Sequence, residues 1–91
     1  MKQTRIISDK SFQESLEKIR NDKFYSKALE LVLRDLQNKM FLKYYKKGNF
    51  ILSREQFQEL TLGILSDYEN NRNFFVVCCM LTMLDYELFN K

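Results

Sequence analysis

The sequence predicts an all-α fold: a compact bundle of about four helices, with the C-terminal helix largely buried. Three observations predict it. The 91 residues include two glycines and no proline, too few for the turns of a β-sandwich, which need Gly, Pro, Asn or Asp at set places. Good helix formers (Leu, Glu, Lys, Gln and Met) are abundant, whereas valine occurs only at Val32, Val76 and Val77. Apolar residues recur three and four apart along most of the chain, the spacing that places them on one helix face.

The first helix is expected over 12–20. Ser11 and Glu14 form a capping box, Ser-x-x-Glu, and Phe12, Leu16 and Ile19 make the apolar face. Asn21 and Asp22 interrupt this helix or cap the next. The second is expected over 23–47, with Tyr25, Leu29, Val32, Leu36 and Met40 in one stripe, widened by Leu33. Phe24, Ala28, Leu31 and Leu42 make a second, narrower stripe. Gly48 and Asn49 then end the helix, as glycine just past the last turn does. Such a helix is about 37 Å long, long enough to break near Asn38.

Ser53 and Gln56 form a second capping box, with Leu52 and Phe57 placed as a hydrophobic staple. They open a third helix over 54–69 whose buried face is Phe57, Leu60, Thr61, Ile64 and Tyr68. Asn70, Asn71 and Asn73 make the last connection. The fourth helix, over 73–89, has no polar face before Asp85 and Glu87. Phe74, Val77, Cys78, Leu81, Leu84 and Leu88 line one side; Phe75, Cys79, Met83 and Tyr86 line the other.

Length allows one domain, residues 1–91, which buries only about 60–65% of its unfolded surface. A hydrophobic content of 45% supplies the core. The two cysteines, Cys78 and Cys79, are neighbours. A bridge between them closes no loop, and their side chains diverge by about 100° on a helix. Two reduced, buried thiols are therefore expected. No apolar signal segment opens the chain, and the longest apolar run, Phe74–Leu81, is far short of the roughly 20 residues that span a bilayer. A cytoplasmic location is the expectation. Richness in Lys, Asn, Phe, Tyr and Ile suits an AT-rich bacterial or phage genome.

Function is bounded mainly by exclusion. There is no histidine, which removes the usual general base and the His-dependent nucleophile pairs and metal sites. Gly48 and Gly63 are too far apart for a phosphate-cradling loop. Carboxylates at Glu55 and Glu59 read as a helix-start charge and a solvated side chain. Asp85 and Glu87 oppose the dipole of their own helix end, and are expected to pair with the basic half of the chain, in cis or across an interface. No enzyme, cofactor or metal is expected, and no small-molecule substrate.

Two surfaces remain. Residues 1–50 carry 12 Lys/Arg against 6 Asp/Glu, while residues 51–91 carry 3 against 6. Lys39, Lys43, Lys46 and Lys47, interleaved with Phe41, Tyr44, Tyr45 and Phe50, could neutralise phosphates and stack bases. Residues 52–70 also loosely resemble the helix-turn-helix of bacterial repressors, with Gly63 at the turn and Ser66 opening a recognition helix; that resemblance implies DNA binding. Gln58 is bulky where the pattern wants a small residue, and the Gly63–Ser66 spacing is one residue long, so one continuous helix is expected. The surplus apolar stripe Phe75, Cys79, Met83 and Tyr86 is the stronger signal, because such patches are unusual on a monomer. The expected function is a protein-binding regulator or inhibitor that docks on a macromolecular partner, as a homodimer. The alternative is a DNA- or RNA-binding regulator using the four lysines.

Overall fold

A computed structural model describes residues 4–90, with backbone only for residues 26–29 and 31. It corrects the all-α expectation: the fold is mixed, four helices with a three-stranded antiparallel sheet. The elements in order are β1 (Thr4–Ser8), α1 (Asp9–Arg20), α2 (Ser26–Tyr44), β2 (Tyr45–Lys46), β3 (Asn49–Ser53), α3 (Arg54–Asp67) and α4 (Phe74–Phe89). In the sheet β3 lies between β1 and β2.

The physical reason is local. Two glycines exclude a large β structure but not a sheet that needs one tight turn. Lys47 and Gly48, at φ 52° and 81°, make that turn. Positive φ at both central residues is the geometry that joins twisted antiparallel strands most directly. Gly48 therefore turns a hairpin and caps no helix; α2 stops at Tyr44. Beyond the turn, Phe50 and Leu52 point into the core and Ile51 points away, the alternation of a half-buried strand. The forty-residue connection that follows β1 brings Ile7 opposite Phe50 and Ile6 opposite Ile51. Ile7 is buried, whereas Ile6 is 68% exposed on the outer face.

Capping explains the helix starts. The chain passes straight from β1 into α1, whose N-cap is Ser8: its hydroxyl accepts from the Ser11 amide at 3.1 Å. The expected box at Ser11 thus lies one turn inside the helix, where the Ser11 carbonyl accepts from the Ser15 hydroxyl. At α3 the box forms as read. The Ser53 hydroxyl accepts from Gln56 N (3.1 Å), and the Gln56 side chain accepts from Ser53 N (2.7 Å). Asp22 accepts from Phe24 N at 2.8 Å, making a turn that delays α2 to Ser26. α2 runs unbroken past Asn38, and α3 runs unbroken through Gly63, so the helix-turn-helix geometry is absent from this segment.

One hydrophobic cluster fills the interior. Phe12, Leu16 and Ile19 come from α1, Val32, Leu33, Leu36 and Met40 from α2, Phe57, Leu60 and Ile64 from α3, and Val77, Met80, Leu81, Leu84 and Leu88 from α4. The inner face of the sheet closes it with Ile7, Phe50 and Leu52. The second α2 stripe lies outside this core at both described ends, Phe24 and Leu42; the side chains of Leu29, Ala28 and Leu31 lie outside the described residues. No helix among the described residues is long and apolar enough to cross a membrane.

Candidate functional site

α4 is flanked by α1 and α3 and backed by α2. Two ion pairs fasten its flanks. Lys18 of α1 reaches Glu87 at 3.0 Å, and Arg54 of α3 grips Asp85 through Nε and Nη2, the shortest contact 2.8 Å. The acids that oppose the helix dipole are therefore matched within the chain. The Arg54 pKa is raised, first by its hydrogen bonds to Asp85, then by attraction to the Asp85 charge; desolvation opposes this, and Glu55 adds slightly.

Three neighbours bury one side of α4 and leave the other in solvent. The expectation of a largely buried C-terminal helix thus holds for one face only. Phe75 is 69% exposed and Tyr86 58%; Thr82 is exposed and Cys79 half-buried. At about 100° per residue these four fall within a band roughly 60° wide. Of the stripe Phe75, Cys79, Met83 and Tyr86, the structure brings three members to this band. Met83 turns to the flank and packs on the core; Thr82 takes its place, its hydroxyl donating to Cys78 O at 2.8 Å. The spacing of Thr82 is the signal that could have found it, but its hydroxyl hid it from an apolar count. Phe24, from the α1–α2 connection, joins the band from outside: it is 52% exposed and sits edge-on to Phe75, ring centroids 6.5 Å apart.

Cys78 and Cys79 are free and half-buried. Cys78 lines a shallow groove of about 300 Å³ between α3 and α4, with Gln58, Thr61, Leu65, Leu81, Thr82 and Asp85. That groove holds one carboxylate, already gripped by Arg54, and no nucleophile–base pair. Among the described residues no three His, Cys, Asp or Glu side chains converge as metal ligands.

The basic segment is put together differently. Lys39 is paired with Asp35 at 3.3 Å and lies 3.8 Å from Asp67. Lys43, Lys46 and Lys47 are exposed. Of their aromatic neighbours Phe50 is buried, Tyr44 and Tyr45 are half-buried and Phe41 is exposed. Tyr45 and Phe41 stack on one another at 4.3 Å and both lean on the buried Phe50. Tyr45 also donates its hydroxyl to Asp9 at 3.5 Å. The rings beside the exposed ammonium groups are thus partly engaged with the core, and Phe41 keeps about a third of its surface in solvent.

The chain matches no family model, no curated protein and no solved structure.

Proposed function

We propose that this protein is a non-enzymatic regulator or inhibitor that acts by docking on a protein partner through the outer face of α4. The observation that supports this reading is the aromatic band itself: Phe24, Phe75 and Tyr86 are each more than half exposed. Single exposed apolar residues need no explanation, but exposed aromatics aligned on one helix face, with a third ring against one of them, are the residue type that interface cores are enriched in. Its setting fits too. The ion pairs Lys18–Glu87 and Arg54–Asp85 stand on either side as a polar rim, and aromatic anchors inside such a rim carry most binding energy.

Site-specific photo-crosslinking tests the reading. A crosslinking side chain at position 75 should form a protein adduct that Tyr86→Glu suppresses. The same group at position 42, where Leu42 is 86% exposed on another element, should not. Equal labelling at both positions sinks the proposal. Salt titration of nucleic-acid binding checks the other surface: steeply salt-sensitive binding abolished by Lys43→Glu with Lys46→Glu would move the function there.

A further inference from the structure

We infer that the partner seated on the α4 face is a second copy of this chain, packed antiparallel across a two-fold axis. The inference rests on the reading of this face as a docking surface, and names what docks.

The argument begins with the order of side chains along the band. Phe75, Cys79, Thr82 and Tyr86 are spaced four, three and four residues apart. From either end the band reads large, small, small, large. A two-fold contact brings a patch against itself, so the patch must be its own complement. With the axis midway between Cys79 and Thr82, Phe75 of one copy meets Tyr86 of the other, and Cys79 meets Thr82. The small pair at the centre lets the helix backbones approach closely. The aromatic pairs then close both ends, about 8 Å on either side of the axis. At each end the incoming tyrosine also lands beside Phe24, which already stands edge-on to Phe75.

Charge favours the same occupant. The four band residues carry no formal charge, and each rim acid is answered by its own base within the chain. A highly charged partner finds nothing here to match it, whereas a second copy presents an equally neutral face. Antiparallel packing also sets the two helix dipoles in opposition, which parallel packing does not.

Area sets the strength. A stable dimer buries about 800 Å² on each partner. An α4 face roughly 24 Å long and 10 Å wide cannot supply that alone. The contact must therefore extend onto the α1 and α3 rims, and the dimer is a moderate one that dissociates on dilution.

Sedimentation equilibrium over roughly 1 µM to 1 mM covers that range of affinity. The intact chain should approach twice its 11.1 kDa mass. Phe75→Glu should weaken the dimer by about 100-fold or more, because each interface contains the change twice and loses the aromatic pair at both ends. Far-UV circular dichroism should be unchanged, and Phe75→Ala should weaken the dimer in the same direction. Leu42→Glu should leave the mass as it was. Geometry is read by disulfide trapping in chains whose Cys78 and Cys79 are replaced by alanine. A Phe75→Cys chain mixed with a Tyr86→Cys chain should cross-link, and neither should cross-link alone. A cross-link formed by either chain alone overturns the antiparallel packing. A monomer at every concentration, with the crosslinker at position 75 still capturing another protein, overturns the second copy but leaves the docking surface. A dimer that persists through both Phe75→Glu and Tyr86→Glu overturns both.

Discussion

The stretch from Phe41 to Phe50 and the outer face of α4 contain the same kinds of residue, aromatics interleaved with others at helical spacing, and they meet opposite ends. In the first, Phe50 is buried on the inner face of β3, and the half-buried Tyr45 of β2 and the partly exposed Phe41 pack against it. In the second, Phe75 and Tyr86 stay in solvent because α1, α2 and α3 already occupy the other sides of the helix. The difference lies in what stands opposite each aromatic. A ring goes inward when a neighbouring element offers an unfilled apolar face, and the hairpin offers one to Tyr45. No element is left to cover Phe75.

The sharpest way to break this comparison is to remove one ring from each region. Phe50→Ala should cost about 3–5 kcal/mol, since Phe50 is fully buried against Phe12, Phe41 and Tyr45. Urea unfolding measures it, and a loss below about 1 kcal/mol would mean that the ring does not fill the core as described. Next in size is Gly48→Ala. A Cβ there meets nothing within 4 Å, so the cost is conformational alone, about 1–2 kcal/mol for a left-handed position. Gly63→Ala is the matching control inside α3: it also meets nothing, and should stabilise by about 0.5–1 kcal/mol. If both glycines respond alike, the hairpin turn is misplaced. Smallest of all should be Phe75→Ala at a concentration where the chain is monomeric, within about 0.5 kcal/mol in the same unfolding experiment.

The Arg54–Asp85 pair gives the comparison a pH control. The folded Arg54 pKa is raised, so its stabilising contribution is complete below the unfolded arginine range and fades only as pH climbs through the folded one. Across neutral pH this guanidinium should add no slope to a stability–pH profile, and Arg54→Met should lower stability only slightly, as removal of a solvent-exposed ion pair does, without changing the profile's shape there.

Much of this was legible beforehand, for identifiable reasons. The Ser53–Gln56 box and the buried Phe57, Leu60, Thr61 and Ile64 of α3 are local patterns, written within one or two turns, and they form as read. Asp85 and Glu87 advertised their need for cations by opposing the helix dipole; Lys18 answers Glu87 from the basic half as expected, whereas Asp85 finds Arg54 in the acidic half. The sheet was missed because its strands are short and depend on each other. Ile6 and Ile7 lie more than forty positions from Phe50 and Leu52, and neither segment announces a strand until paired with the other. Gly48 misled for a related reason: a glycine after a helical stretch fits a C-cap and a hairpin turn equally well. At the candidate site, Phe75 and Tyr86 were found by their spacing, while Thr82 was passed over for its hydroxyl and Met83 included for its size.

The neighbouring isoleucines of β1 carry one more consequence. A strand slipped by one residue turns every side chain to the opposite face, and in most strands that error is punished by burying a polar group. Here the slip would merely exchange Ile6 for Ile7, so the middle of the strand is blind to its own alignment. The decision falls to the residue just beyond the strand: the Asp9 amide must reach Gly48 O, 3.0 Å away, on the hairpin turn. The alignment of β1 is thus set where the strand ends and α1 begins, by a hydrogen bond to the turn that already fixes β2 against β3.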